Sequence, residues 1–479
     1  MKTKRLFSYC ILALVCLSFI SVFSWNTSPI YGGQWEDIDS SVYKIVGKYW
    51  AEGLLPYVDL WDQKGPLIHA IDALGYLIVG NSNGIFIIQA VSLYITMIYI
   101  FKSLCLAFYE ALSTFLCFFI VLSLSTDYNG GNLVEEFLLP FISVSYYILL
   151  KYLLNGYKDT TILFRFCFFV GLSLAFSFFT RLTNALGLCA SEFILCLWIL
   201  YDRKFKLFGK MILYTLLGCL VITIPVLFYF LYHDAFNEMW YATFTYNVEY
   251  AASMSNMPKS LGYFITSYLN CFLLTFVSLL LFLKKYYREG MLWITTALLP
   301  LAWFINGANF PHYGMIVFQY LTITFVLLGN YVRREHKDYI LKPLYFISIG
   351  IMVFIAVGLR VYQSKNVFIS DSGRNRDSYV KTACIKNHIN KNSLLLYNFS
   401  GKEYLEEKVK PAVRFFFLQD FLIDHGPSIE QRVLTSLTVS KVEWIIAKGE
   451  VHNRMIKRFI DDHYKEVDKE NGIVVYQLK

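Results

Sequence analysis

The sequence consists of long uncharged apolar blocks separated by short clusters of Lys and Arg. Most blocks have about the 20 mainly apolar residues that a helix needs to cross the hydrocarbon core of a bilayer. Charged residues make up 16% of the 479 residues, whereas a soluble chain of this size has about 25%. This pattern predicts a polytopic α-helical membrane protein.

The apolar blocks predict eleven membrane crossings. By length and hydropathy they lie at 6–24, 84–104, 109–126, 133–153, 162–180, 184–201, 208–231, 261–283, 290–306, 312–331 and 341–361. The first follows a basic N-terminus, as in a signal peptide, but no small-x-small cleavage site follows it. We expect an uncleaved signal anchor with its N-terminus in the cytoplasm.

The distribution of positive charge predicts the orientation of these crossings. The loops assigned to the cytoplasm contain Lys102, Lys151, Lys158, Arg203, Lys204, Lys206, Lys210, Lys284, Lys285, Arg288, Arg333, Arg334 and Lys337. Loops 127–132 and 307–311 contain no Lys or Arg, and loop 232–260 contains only Lys259. This is the positive-inside pattern. The net charge of +8 is therefore attributed to topology, and nucleic acid is not expected as a partner.

Two regions do not have the pattern of a crossing. Residues 65–80 are apolar but short and include His69 and Asp72, which favours an interfacial or re-entrant segment. From residue 362 the chain becomes polar. β-like runs at 393–397, 442–446 and 473–476 are separated by helical stretches such as 379–389 and 450–463. We therefore predict a transmembrane domain at 1–361 with a first outer loop at 25–83, and a small extracytoplasmic α/β domain at 362–479.

The first outer loop contains most of the unusual polar residues. Val42, Ile45, Val46 and Tyr49 have helical spacing and predict a short helix on the membrane surface. The acidic and basic residues around it are Glu36, Asp37, Asp39, Asp59, Asp62 and Lys64, beside the interfacial Trp35. Carboxylates at a membrane surface are costly unless they are solvated or used.

Asp39 and Lys64 each have a structural interpretation beside a functional one. Asp39 precedes Ser-Ser-Val, so it is also a candidate N-cap of the predicted helix. Lys64 stands where the chain returns to the bilayer, and a lysine there can extend its ammonium group to the interface. The residues alone leave these alternatives open.

The run from Asp39 through Gly53-Leu-Leu-Pro-Tyr-Val-Asp59-Leu-Trp-Asp62-Gln-Lys64-Gly-Pro resembles the first-loop signature of the GT-C glycosyltransferases. More narrowly, it resembles the bacterial RgtA/B/C/D-like branch, which is related to protein O-mannosyltransferases and aminoarabinose transferases. The run Gly130-Gly-Asn-Leu-Val-Glu135-Glu-Phe-Leu-Leu-Pro140 resembles the segment of that branch at the outer start of the fourth crossing. The resemblance covers roughly the first 200 residues, and beyond them only the layout agrees.

The resemblance implies an enzyme of the bacterial cytoplasmic membrane that moves a sugar from a polyprenyl-phosphate carrier to a lipid, polysaccharide or protein acceptor on the outer face. Such a transfer needs a base for the acceptor hydroxyl and cations for the departing phosphate. By position in the resemblance, Asp39 is the candidate catalytic base and Asp37 the reserve. Lys64 is the candidate phosphate contact, with Asp59 and Asp62 as neighbouring substrate-binding candidates.

Further substrate-binding candidates lie on the predicted outer ends of the crossings. Glu135 and Glu136 can position the acceptor or a metal, although acids are also favoured at a helix N-terminus by its dipole. Arg181 is a candidate phosphate contact or an arginine that reaches the interface. His312 can contact the phosphate or simply be hydrogen-bonded.

No cofactor is implied with certainty. The cysteine and histidine spacings match no zinc motif, and the sequence contains no nucleotide-binding glycine loop. A Mg²⁺ or Mn²⁺ ion held by Asp37, Asp39 and the Glu135–Glu136 pair is compatible with the preference of these ions for oxygen ligands.

Two other function classes remain open. A glycolipid flippase or transporter would place ionisable residues near mid-span, where Glu192 is the main example here. A surface-glycan polymerase would carry a large catalytic outer loop late in the chain, and 232–260 is the only candidate for it.

Overall fold

A computed structural model describes residues 2–31, 37–125, 127–254, 265, 267–306, 310–335, 358, 379–440 and 442–479. The predicted eleventh crossing at 341–361, the predicted domain boundary at 361, and Trp35 and Glu36 lie essentially outside these residues.

Helices make up most of the described chain. In chain order they are α1 Lys2–Phe23, α2 Ile38–Ala51, α3 Pro66–Val79, α4 Asn83–Leu104, α5 Glu110–Leu122, α6 Val134–Leu154, α7 Thr160–Phe178, α8 Leu186–Tyr201, α9 Phe205–Tyr232, α10 Phe236–Trp240, α11 Tyr246–Met254, α12 Leu269–Leu283, α13 Tyr287–Asn306, α14 Tyr320–Glu335, α15 Tyr379–Lys386, α16 Gly401–Glu406, α17 Gln419–His425, α18 Glu430–Ser440 and α19 Arg454–His463. The strands are β1 Leu394–Tyr397, β2 Trp444–Lys448, β3 Tyr464–Glu470 and β4 Ile473–Leu478.

Seven segments of the described chain are long and apolar enough to cross a membrane. They are Arg5–Phe23, Asn83–Leu104, Val134–Leu154, Thr160–Phe178, Leu182–Tyr201, Phe205–Tyr232 and His312–Arg334, and each coincides with a predicted crossing. Three further predicted crossings coincide with α5, α12 and α13. Of these, α5 has 13 residues and α12 has 15, so both are shorter than the usual crossing.

The chain divides into two compact units. The first comprises Met1–Ser24, Ile88–Val226 and Pro258–Ser370, and the second comprises Trp25–Ile87, Leu227–Met257 and Asp371–Lys479. The first unit is a helix bundle in which α6 packs on α7, α13 packs on α8 and α12, and α12 packs on α14. A Cβ atom on Gly171 of α7 would lie 2.0 Å from the carbonyl oxygen of Thr215 in α9. Close helix approach through small residues is typical of membrane bundles.

In the second unit, α2 packs on α3. The predicted stripe of α2 is buried, since Val42, Ile45, Val46 and Tyr49 are at most 7% exposed. Lys44 lies off this apolar stripe, on the side of the helix expected to be polar, but it is only 2% exposed. Its Nζ atom donates to the carbonyl oxygen of Asn26 at 2.6 Å, so the buried ammonium group has an acceptor.

The segment predicted to be interfacial or re-entrant forms the 14-residue helix α3. Its His69 and Asp72 are fully buried, whereas Leu74, Leu77 and Ile78 are at least half exposed. An apolar exposed face on a helix too short for a crossing is compatible with the expected position at the membrane surface.

The second unit also contains a sheet with strand order β1-β2-β4-β3. β1 pairs with β2 in parallel, with Leu394 opposite Trp444, and the other neighbours are antiparallel. β1 and most of β2 are buried. The predicted polytopic helical protein with a small C-terminal α/β domain is therefore confirmed.

Candidate active site

The candidate base lies at the start of α2. Asp37 is the N-cap residue in an extended conformation, and Asp39 lies in the first helical turn. The interpretation of Asp39 as the N-cap is therefore wrong, because the helix begins at Ile38, two residues before the start that an N-cap at Asp39 would give. Asp39 is partly exposed, and an acid in a first turn is favoured by the helix dipole.

Asp59 and Asp62 hold the loop that follows α2. An Asp59 carboxylate oxygen accepts the backbone N–H of Leu55 at 2.6 Å. Asp62 is 3% exposed and accepts the backbone N–H of Gln63 at 2.7 Å. Its other oxygen lies 3.2 Å from Nε2 of the fully buried His69. Both carboxylates therefore have local partners, and their roles as substrate contacts remain predictions.

Lys64 is held through its backbone. The Tyr57 hydroxyl donates to the Lys64 carbonyl oxygen at 2.7 Å. Burial raises the pKa of Tyr57 well above its usual value, so the hydroxyl keeps the proton that it donates. The side-chain amide of Asn247 donates to the neighbouring Gln63 carbonyl at 2.7 Å. These contacts fix the place from which the partly exposed Lys64 side chain extends.

At the start of α6, the structure brings Glu135 and Arg181 together. Glu135 is fully buried, and its Oε1 atom accepts a hydrogen bond from Nη1 of Arg181 at 2.9 Å. The guanidinium of Arg181 lies 3.1 Å from the ring centroid of Tyr313. The Arg181 side chain is 20% exposed. His312 lies near enough to Glu135 to interact with it electrostatically.

The bond to Glu135 uses one of the five N–H donors of a guanidinium. Within the described residues, Oε2 of Glu135 has no hydrogen-bond partner. A buried carboxylate oxygen without a partner is costly. The pair therefore offers both an acceptor and additional donors to a polar ligand.

Glu136 differs from its neighbour, because protein groups surround its carboxylate. Oε2 accepts from Gln89 Nε2 and from the backbone N–H of Asn132, each at 2.9 Å, and Oε1 accepts from the Tyr128 hydroxyl. Gly131 in the same loop has a φ of +71°, and a Cβ there would lie 2.4 Å from Ser24 Oγ. Glu136 thus holds loop 127–132 in place, and the geometry favours Glu135 as the ligand contact.

Sequence reasoning assigned no site role to three buried polar residues. Asp127 packs against Gly314, where a Cβ would lie 2.8 Å from a carboxylate oxygen. Asn184 is 2% exposed, and neither polar atom of its amide has a hydrogen-bond partner among the described residues. His69 pairs with Asp62, as described above. The available signal was an ionisable or amide side chain in an otherwise apolar stretch.

A metal site is not evident in the part of the chain that the structure describes. No three His, Cys, Asp or Glu side chains there converge as ligands. The binding of a Mg²⁺ or Mn²⁺ ion stays a prediction.

No protein-family model and no curated protein sequence matches the chain. Solved structures do match. The structure of ArnT from Cupriavidus metallidurans, bound to undecaprenyl phosphate, is similar over 99% of this chain and 98% of that chain, at 14% identity and a TM-score of 0.57. The archaeal oligosaccharyltransferase AglB from Archaeoglobus fulgidus, with an inhibitory peptide and a dolichol-phosphate, aligns over 99% of this chain and 74% of that chain. Its identity is 10% and its TM-score 0.47.

The likeness to ArnT extends over nearly the whole of both chains and includes the helix bundle and the C-terminal sheet. It confirms the fold that the resemblance of the first loop implied. The chain has the GT-C fold of the membrane glycosyltransferases.

Proposed function

We propose that the protein transfers a sugar from a polyprenyl-phosphate donor to a hydroxyl of an acceptor at the outer face of the bacterial cytoplasmic membrane. The observation that carries the proposal is the full-length likeness to ArnT, whose structure holds undecaprenyl phosphate. The chain supplies the two kinds of group that the reaction needs. They are the partly exposed carboxylate of Asp39 and the guanidinium of Arg181, which has N–H donors beyond its bond to Glu135.

In the proposed reaction, Asp39 accepts the proton of the acceptor hydroxyl as its oxygen attacks the anomeric carbon of the donor. The bond from that carbon to the phosphate oxygen breaks, and the electron pair leaves with the lipid phosphate. The new bond joins the sugar to the acceptor oxygen, and the proton stays on Asp39 until it passes to solvent.

By the resemblance of the first loop, Lys64 is assigned to the phosphate, and Arg181 is a second candidate for that contact. Charge-assisted hydrogen bonds to phosphate are about twice as strong as neutral ones, and a planar guanidinium can make two in parallel. Stacking on Tyr313 and the bond to Glu135 set the orientation of the Arg181 guanidinium before a ligand arrives. Preorganised donors of this kind stabilise charge that develops in the transition state.

The alternative of a flippase is less well supported. Its main sequence argument was Glu192 in α8, but that carboxylate accepts a hydrogen bond from Thr215 of α9. A carboxylate bonded to the neighbouring helix has a packing role, and it is not needed to line a pathway.

The test uses purified full-length protein and measures consumption of a polyprenyl-phosphate sugar. Asp39→Asn is expected to lower turnover by about 100-fold or more, the usual contribution of a general base. Asp37→Asn is expected to retain most of it. Asp461→Asn, at an exposed position of α19, is the matched control. Full turnover by Asp39→Asn would remove Asp39 as the base, and full turnover by both loop variants would overturn the mechanism.

A further inference from the structure

The second unit contains an open cleft of ≈660 Å³ that the catalytic residues do not occupy. One wall is the loop after α2, including Leu54, Val58 and Leu60, and another is the segment 410–414. The third wall is α18. Pockets of about 300–1,000 Å³ are typical of ligand sites.

Two walls of the cleft, the loop after α2 and the segment 410–414, are held together by contacts within the protein. The backbone N–H of Trp61 donates to the carbonyl oxygen of Arg414 at 2.9 Å. Trp61 is fully buried. Its ring packs edge-on against Tyr246, with 4.9 Å between the ring centroids, and at a tilt against Phe415, with 5.4 Å between them. A preformed cleft avoids part of the ordering cost of binding.

The charge of the cleft is positive. Lys410, Arg414 and Arg432 line it, and the one acid among the lining residues, Asp59, is bonded in its own turn. Glu238 accepts hydrogen bonds from both arginines, from Arg432 at 2.7 Å. Since two guanidinium groups share one carboxylate, the pair retains a positive charge.

The α18 wall presents hydrogen-bonding groups along one helix face. Gln431, Thr435, Ser436 and Ser440 line the cleft, whereas Val433 and Leu437 of the same helix are buried in the core. This is the helical spacing that separates two faces. Amide and hydroxyl groups beside cations and small apolar surfaces match a saccharide that carries carboxylate or phosphate groups.

The position of the cleft limits which part of a substrate can reach it. It begins at Leu54, three residues after α2 ends at Ala51, while Asp39 lies at the other end of that helix. A helix of 14 residues is about 20 Å long at roughly 1.5 Å per residue. A ligand in the cleft is therefore several sugar units away from a hydroxyl that reacts at Asp39.

We propose that this cleft binds a remote, anionic saccharide segment of the acceptor, so that the acceptor is a charged glycan chain several units long. The inference rests on the proposed function only where it calls the bound saccharide part of the acceptor. The binding of an anionic saccharide can be tested without turnover. Binding of remote substrate parts is a general way to position a reacting group.

The experiment measures direct binding to the full-length protein in detergent by isothermal titration calorimetry. The probes are a short oligogalacturonate, a neutral cello-oligosaccharide of equal length and an oligoglutamate peptide of equal charge. We expect the oligogalacturonate to bind at least about tenfold more tightly than either control, and to weaken as ionic strength rises. Lys410→Ala is expected to weaken it about tenfold, because a charge-assisted contact is lost.

Lys465→Ala, at an exposed position of β3, is the control variant and should bind as the wild type does. Absence of binding by the wild type, equal binding of the neutral oligosaccharide, or no effect of Lys410→Ala would overturn the proposal. Equal or tighter binding of oligoglutamate would assign the cleft to an acidic peptide instead and would also overturn it. If the wild type consumed no polyprenyl-phosphate sugar, the proposed function would be contradicted, but this binding result would still hold.

Discussion

The starts of α2 and α6 each have two acidic residues, but the structure uses them differently. At α6, Glu135 and Glu136 are at most 1% exposed and bonded to Arg181, Tyr128, Gln89 and the backbone of Asn132. At α2, both Asp37 and Asp39 are partly exposed. A buried, bonded carboxylate maintains geometry, whereas a partly exposed one can exchange protons with a substrate. Replacing either acid of α6 should therefore lower stability, in addition to any effect of Glu135 on ligand binding, whereas replacing Asp39 should lower turnover alone.

Arg181→Ala should have the largest effect on stability. It leaves the Glu135 carboxylate buried without its cation, which costs about 3–5 kcal/mol. The measurement is thermal unfolding of the purified protein in detergent, with Arg165→Ala, exposed on α7, as the control. Arg181→Lys should restore part of the stability but not donor binding, because lysine lacks the planar fork. An unchanged unfolding midpoint for Arg181→Ala would contradict the stabilising role assigned to the Glu135–Arg181 pair.

Glu136→Ala should destabilise the protein by about 3 kcal/mol, since it removes the carboxylate to which three buried donors bond. Glu136→Gln should cost less, because an amide oxygen can still accept. In the same unfolding assay Asp39→Asn should differ from the wild type by less than about 0.5 kcal/mol. If Glu136→Ala were fully stable but inactive, Glu136 would belong with Asp39 among the chemical groups.

Tyr57→Phe tests whether the first outer loop is also held by defined contacts. It removes the hydrogen bond to the Lys64 carbonyl and should cost about 1 kcal/mol of stability. Because Lys64 is assigned to the donor phosphate, the KM for the donor should rise more than kcat falls. Tyr232→Phe, at a position 76% exposed, is the control. An equal fall in kcat with no change in KM would place Tyr57 in the chemical step.

The smallest effect is expected at Asp468, a partly exposed carboxylate of β3. The hydrogen bond from Lys386 to Asp468, at 2.8 Å, lowers the pKa of Asp468. A lowered pKa means that this contribution to stability is present above about pH 3.8 and is lost as the pH falls through the folded-state value. Acid unfolding curves of the wild type and Lys386→Gln should therefore converge at low pH. A stability difference between the wild type and Lys386→Gln that grows as the pH falls would contradict a lowered pKa of Asp468.

Much of the fold could be predicted, because crossings and buried strands have strong local patterns. Val42, Ile45 and Val46 predicted α2, and the three β-like runs at 393–397, 442–446 and 473–476 predicted β1, β2 and β4. β3 was missed because Tyr464–Glu470 is mostly charged and lies at the edge of the sheet, where one strand neighbour suffices. Its pairing with β4 is set by tertiary structure, which no local period reveals.

The site was less predictable than the fold. The sequence indicated Glu135, Glu136 and Arg181 by their position, but not which acid would pair with the cation. That choice depends on which carboxylate faces Arg181 and which faces Gln89. Adjacent helix residues point about 100° apart, so a shift of one position changes the partner entirely. At α2 the N-cap position is likewise two residues from the predicted one, at Asp37 instead of Asp39.

The most direct test of lipid-linked sugar transfer is a mass balance of one reaction with the purified wild type in liposomes. A polyprenyl-phosphate sugar is supplied with an acceptor glycan, and the lipid phosphate and glycosylated acceptor are quantified by mass spectrometry. The transferase account predicts equal amounts of the two products and the loss of both with Asp39→Asn. Intact donor that crosses the bilayer without forming either product would contradict it.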